Sequence, residues 1–224
     1  MEETATTIPL IGDSAPSFKA QTTEGMVSFP EDYKGKWVIL FSHPADFTPV
    51  CTTEFMTFAS MAEELRALDA ELLGLSIDSN FSHIAWVRAI KERAEFRGMK
   101  NLDIPFPIIA DIKMDVARKY GMVQPNASTT QAVRAVYFID PQGRVRALIY
   151  YPLSNGRNFQ EIKRLLIAMQ LSDKHGVATP ADWQPGEEVI VPPPSTASKA
   201  GQRLEEAGDG YRCVDWYLCF KPAP

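Results

Sequence analysis

Three short, almost wholly apolar runs recur along this chain, each closed off by polar residues: WVILF (Trp37 to Phe41), LLGLSI (Leu72 to Ile77) and AVYFI (Ala135 to Ile139). Runs this short, with no polar–apolar alternation, read as strands buried on both faces. Between them the period becomes helical. Phe55, Phe58, Ala62, Leu65 and Leu68 advance by threes and fours, predicting a helix that starts near Thr52. Similar spacing predicts helices over 82–96, 112–120 and 159–171, with Asn80 or Ser82 capping the first and Gly121 ending the second. Pro141 and Gly143 mark a tight turn between the third strand and a fourth. Strands alternating with helices dictate an α/β domain around a mixed, largely buried sheet.

After about Leu171 the pattern stops. Pro180, Pro185, Pro192, Pro193 and Pro194 exclude a regular core there. Trp183, Tyr211, Trp216, Tyr217 and Phe220 make the segment too aromatic for a disordered tail. It reads as an extended arm whose apolar side chains bury against another surface, as in a dimer. The expected organisation is a main domain over 1–170 and an arm over 171–224.

Charge and hydropathy narrow the class. The net charge of −5 argues against a nucleic-acid-binding surface. No apolar run approaches the roughly 20 residues of a membrane-spanning helix. Met1, Glu2 and Glu3 are unlike the basic start of a secretory signal, so the expected compartment is the cytoplasm, where thiols stay reduced. Cys51, Cys213 and Cys219 are an odd count at distant positions, a poor disulfide framework. They read either as reactive thiols or as small buried hydrophobes.

The segment FSHPADFTPVCTTEF, Phe41 to Phe55, decides for Cys51. It leaves a buried strand and enters the first long helix, which puts Cys51 within a turn of the helix N-terminus. Unpaired N–H groups and the positive end of the helix dipole favour an anion there. A free thiol has a pKa of about 8.5. Helix N-termini and nearby cations bring cysteines into a range of about 3.5 to 7.5. Pro44 and Pro49 stiffen the loop, Thr48 offers a hydroxyl, and Glu54 lies on the helix side of Cys51, where it could orient a cation.

PxxxTPVCTTE (Pro44 to Glu54) resembles the active-site signature of the peroxiredoxins, and FSHPADFTPVCTTE that of their one-cysteine subfamily. VRAVYFIDPQGRVRALIYYP (Val133 to Pro152) resembles the family's second signature, and PADWQPGEEVIVPPP (Pro180 to Pro194) its C-terminal arm. The resemblance implies a thioredoxin-like fold and reduction of hydrogen peroxide and organic hydroperoxides, with no metal or organic cofactor. It implies Cys51 as peroxidatic cysteine, Thr48 as a hydrogen-bonding partner of the peroxide and Pro44 as a shield against water. Arg134 matches the arginine beside thiolate and substrate, Arg157 a second pocket arginine, and His43 a histidine that tunes the thiolate or shapes the pocket. The implied partners are a thiol reductant, either a thioredoxin-like protein or a small thiol, and a second copy of the chain, in a homodimer or a ring of five dimers.

YRCVDWYLCF (Tyr211 to Phe220) departs from the one-cysteine pattern and resembles the C-terminal segment of archaeal and some bacterial relatives. That implies Cys213 as resolving cysteine, reaching Cys51 of the other subunit, and Cys219 as a partner for disulfide exchange. The competing reading packs both as structural residues with Trp216 and Phe220. A thiol–disulfide oxidoreductase is disfavoured because Thr53 and Glu54 stand where a CxxC partner would be. A holdase remains a secondary activity to consider. His83 reads as a surface or capping residue, Ser14 as a turn residue, and Asp78-Ser79-Asn80 as a helix cap.

Overall fold

The computed structural model describes residues 8–205, 210 and 212–224, so the acidic residues at 1–3 and Tyr211 lie outside it. The chain divides into two compact units, one running to Phe159 and one from Gln160 to Pro224.

The first unit is built on strands β1 (Phe18–Thr22), β2 (Gly25–Phe29), β3 (Trp37–Ser42) and β4 (Ala70–Ser76), the two-residue ribbon β5 (Glu95–Phe96) and β6 (Met99–Lys100), and strands β7 (Ile108–Ala110), β8 (Arg134–Ile139) and β9 (Val145–Tyr151). Its helices are α1 (Pro49–Ala67), α2 (Asn80–Arg93) and α3 (Asp115–Lys119). All but the ribbon form one seven-stranded sheet in the order β2-β1-β7-β4-β3-β8-β9. β3 runs parallel to β4 and antiparallel to β8, and β4 runs parallel to β7, so the sheet is mixed as expected. The three apolar runs are its centre: every residue of β3 and β8 is buried.

Alternation along β3 feeds two cores. Leu40 packs with Phe18, Phe29, Leu75 and Tyr137. Phe41 joins Phe55, Phe58 and Phe106 in an aromatic group whose other centroids lie 4.3 to 5.7 Å from its own. Burying one such phenyl contributes about 1.5–3 kcal/mol. Gly74 stands opposite Phe41 in register, and a Cβ there would come within 3.3 Å of the Phe41 ring and 3.5 Å of the Phe55 ring. The glycine leaves space for the aromatic group that backs α1.

α1 starts at Pro49 rather than near Thr52, because proline at the first helical position has a φ suited to the helix and no N–H to leave unpaired. α2 and α3 are shorter than their apolar spacing predicts, at Asn80–Arg93 and Asp115–Lys119. β1 and β2 are short and half-polar and β7 is an apolar run of only three residues, so none carries much signal of its own.

The second unit contains the greater part of α4 (Phe159–His175), with β10 (Val189–Val191), α5 (Ala197–Glu205), β11 (Arg212–Asp215) and β12 (Leu218–Lys221). The last three strands form an antiparallel sheet in the order β10-β12-β11. Trp183 and Val189 pack with Ala168 and Val177 in a small core, and the indole N–H of Trp183 donates to the Glu187 carbonyl. The prolines lie around these strands rather than in them, so the arm has more regular structure than its sequence implies. Cys213 faces Cys219 across the β11–β12 hairpin, and the two are disulfide-bonded. Trp216 and Tyr217, at the hairpin turn, are exposed. Among the described residues no helix is long and apolar enough to cross a membrane.

Candidate active site

The end of β3 and the start of α1 bracket the loop that carries His43, Pro44 and Thr48. Thr48 takes extended backbone at the N-cap and Pro49 the first helical position, so Cys51 is the third residue of α1. Pro49 has no N–H, and those of Val50 and Cys51 have no partner inside the helix. Cys51 is a free thiol with no exposed surface. The Thr48 hydroxyl donates to the Ala45 carbonyl at 2.8 Å, which leaves its oxygen lone pairs open. Pro44 is buried in the loop wall.

Arg134 opens β8, the neighbour of β3, and its side chain reaches the first turn of α1. Its Nη1 donates to Cys51 Sγ at 3.4 Å and to Glu54 Oε2 at 2.7 Å, while Nε and Nη2 grip the Leu153 carbonyl. Arg157 approaches Glu54 from the other side, its Nε 3.0 Å from Oε1 and its Nη2 2.7 Å from Oε2. The Arg157 backbone N–H adds a third bond to Glu54, and its Nη1 holds the carbonyls of Ser42 and Ala135. Burial pulls the Arg157 guanidinium below its usual value, with Glu54 opposing the pull. All four side chains are buried. With Cys51 as thiolate, two cations face two anions.

A second buried cluster braces the same loop. His43 Nε2 lies 2.9 Å from Asp46 Oδ1, and His83 Nδ1 lies 2.8 Å from Asp46 Oδ2. The Asp46 backbone N–H donates to Asp78, which also accepts the Ser76 hydroxyl. The His43 ring stacks on Trp86 at 5.1 Å and meets Phe55 edge-on at 4.7 Å. Burial lowers the His43 pKa. Burial pushes Asp46 up, but hydrogen bonds from both imidazoles outweigh it and hold the carboxyl well below the usual range.

Both shifts have one sign. The native state resists protons that the unfolded chain takes up below about pH 6.5 at His43 and about 3.9 at Asp46. These two groups are therefore expected to lower stability progressively as the pH falls below about 6.5. Urea midpoints measured from about pH 6.5 to pH 4 check this, and a midpoint that rises on acidification over that range would contradict it.

The structure brings together Cys51, Thr48, Glu54, Arg134 and Arg157, the last less as a lining residue than as a brace on Glu54. His43 and Pro44 lie in the same loop. Cys213 and Cys219 are in the second unit. His83 is corrected: it is fully buried rather than a surface or capping residue. It falls on one helical stripe with Trp86 and Ile90, a pattern visible in the sequence, and a buried imidazole needs the partner that Asp46 supplies. Ser79, within the Asp78-Ser79-Asn80 stretch but in place of Asn80 or Ser82, caps α2 by accepting from the Ser82 N–H, whereas Asp78 reaches back to the active-site loop. Ser14 follows a turn and makes an isolated bridge to Arg144.

Residues 11–148 match the AhpC/TSA family and residues 168–207 the C-terminal domain of 1-Cys peroxiredoxin. A peroxiredoxin of Methanosarcina mazei is 65% identical, over 96% of this chain and 98% of that protein. One from Aquifex aeolicus is 55% identical, over 96% and 97%. Among solved structures, a yeast mitochondrial 1-Cys peroxiredoxin superposes with a TM-score of 0.82 at 38% identity, covering 96% of this chain and all of that one. A peroxiredoxin 6 from Arenicola marina follows at 0.81 and 36%, covering 96% and 98%. A buried helix-N-terminal thiol, an arginine on its sulfur and relatives of this kind lead to one conclusion: the chain belongs to the AhpC/TSA family, among the 1-Cys peroxiredoxins, and is a thiol-dependent peroxidase with a thioredoxin-like fold.

Proposed function

We propose that Cys51 is the peroxidatic nucleophile and that Thr48, Pro44, Arg134 and His43 form the pocket around it. The observation that carries this reading is the Arg134 Nη1 contact with Cys51 Sγ, held in place by Glu54. The Cys51 thiolate attacks the terminal oxygen of a hydroperoxide. An S–O bond forms as the O–O bond breaks, and the departing oxygen takes a proton to leave as water or an alcohol, with Cys51 now a sulfenic acid. Arg134 and the open N–H groups of α1 stabilise the charge that moves onto the oxygens. Thr48, its O–H donating to the Ala45 carbonyl, accepts the substrate O–H. Pro44 keeps water from the sulfur. Arg157 acts through Glu54.

In this reading Cys213 resolves the sulfenic acid. Its thiol attacks Cys51, from a partner subunit, releasing water and leaving a Cys51–Cys213 disulfide. Cys219 then attacks the Cys213 sulfur, frees Cys51 and closes the Cys213–Cys219 disulfide, which an external thiol reduces. Two features support this order: the hairpin pairs the two cysteines, and Cys213 is half-buried whereas Cys219 is fully buried. The reductant is a thioredoxin-like protein or a small thiol; the yeast relative is resolved through glutathione and thioredoxin systems. We assign the peroxidase domain to 1–170 and the dimerisation arm to 171–224. The dimers assemble further, up to a ring of five, and exposed Phe47, Phe81 and Ile84 offer an apolar patch for a second copy. The protein works in the cytoplasm, where such reductants are supplied.

The test is intact mass with disulfide mapping after one equivalent of hydrogen peroxide is added to fully reduced protein. Wild type should end with Cys213–Cys219 bonded and Cys51 free. Cys219→Ser should trap a Cys51–Cys213 crosslink between chains, and Cys213→Ser should stop at Cys51 sulfenic acid. Wild type that halts at Cys51 sulfenic acid with both other thiols intact would leave those cysteines structural and the enzyme dependent on an external resolving thiol.

A further inference from the structure

The buried His43–Asp46–His83 chain has more hydrogen-bonding structure than a packed core needs. His83 Nε2 lies 3.2 Å from the Ile109 carbonyl, an acceptor, and its Nδ1 faces the Asp46 carboxylate, also an acceptor. An imidazole between two acceptors satisfies both only when both nitrogens carry protons. Asp46 then sits beside one cation and takes its remaining hydrogen bond from His43 Nε2. That places the His43 proton on Nε2 and leaves Nδ1 a bare lone pair. Nδ1 is in fact buried with no hydrogen-bond partner. A buried acceptor without a donor is costly by about 1–3 kcal/mol, which marks it as a place where a donor arrives.

We propose that His83 is a positioning residue of the peroxidase reaction: as an imidazolium it acts through Asp46 to hold His43 in the tautomer whose Nδ1 receives a proton or O–H during turnover. The inference rests on the reading that His43 belongs to the peroxide pocket. His83 also ties α2 and the β7 backbone to the loop that carries Pro44 and Thr48, so losing it misplaces those groups as well. The charged groups facing this chain are few: Asp46 on the loop, Asp78 after β4, and His83 itself on α2. From β7 it meets the Ile109 carbonyl, and from α1 the Phe55 ring meets His43. Asp111, which follows β7, has its carboxylate turned to the N–H groups of Val116 and Ala117. Ionised Asp46 suits both imidazoles: it accepts from His83 and, through His43 Nε2, fixes which nitrogen stays open.

Two measurements on the full-length reduced protein test this. Long-range 1H–15N spectra at neutral pH should show His83 protonated on both nitrogens and His43 protonated on Nε2 alone. Asp46→Asn and His83→Leu should lower kcat/KM for hydrogen peroxide by about 10- to 100-fold and change its pH profile. His83→Gln, which keeps one donor toward Asp46, should recover part of the loss. His83 with a bare nitrogen, or His43 protonated on Nδ1, would overturn the assignment even if a variant failed to fold. Folded Asp46→Asn and His83→Leu with wild-type kcat/KM and pH profile would overturn the positioning role. A wild type inactive toward hydrogen peroxide would sink the pocket reading instead, while the spectra would still decide the tautomer.

Discussion

Replacing Cys51 by serine is expected to reduce hydroperoxide turnover to the uncatalysed rate while leaving the fold intact. A serine hydroxyl stays protonated near neutral pH and is a poor nucleophile toward peroxide oxygen, so no sulfenic acid equivalent forms and the cycle never begins. The surroundings tolerate the change. Serine is slightly smaller, and its hydroxyl can still accept from Arg134 Nη1, so neither the guanidinium nor the new oxygen is orphaned. Thermal midpoint and native mass should match wild type, which separates lost chemistry from lost structure. Any holdase activity should also survive. Residual turnover of more than a few per cent, with peroxide consumption followed directly, would place the nucleophile elsewhere.

The candidate thiol was legible because the strand, loop and helix start that place it are local. A buried strand, a proline-stiffened loop, a helix start and the cysteine follow one another from Trp37 to Phe55. Arg134 was legible only through the family signature, since nothing nearby in sequence shows that β8 lies beside β3. What escaped is what the fold assembles from far apart. Arg157 reaches Glu54 across 103 positions, and its role as a brace on the carboxylate follows from geometry alone. Asp46 and His83 are 37 positions apart, and a histidine near a helix start reads as a cap until its partner is known. In the arm, Trp183 is buried as the aromatic content suggested, whereas Trp216 and Tyr217 are exposed. The arm's three short strands escaped because they are defined by pairing rather than by internal pattern.

Glu54→Gln should have the largest effect on stability, because Glu54 is where two buried cations are neutralised. Its two oxygens accept from Arg134 Nη1, from Arg157 Nε and Nη2, and from the Arg157 backbone. Glutamine keeps the volume but gives an uncharged acceptor and an amide N–H2 that points donors at donors. Breaking a buried pair in this way costs about 3–5 kcal/mol, since the orphaned charge stays desolvated. At about 2–4 °C per kcal/mol for a chain of this size, the thermal midpoint should fall by about 6–20 °C. Activity should fall as well, because Arg134 loses the anchor that keeps Nη1 on Cys51 Sγ. A second substitution identifies the cause. Removing one guanidinium along with the carboxylate, as in Glu54→Gln with Arg157→Met, takes away a charge that Glu54→Gln leaves stranded. The pair should therefore be less destabilised than the sum of the two single variants, by more than about 0.5 kcal/mol. Simple additivity, or a Glu54→Gln protein as stable as wild type, would mean that Glu54 fills space and that charge balance does not hold the site together.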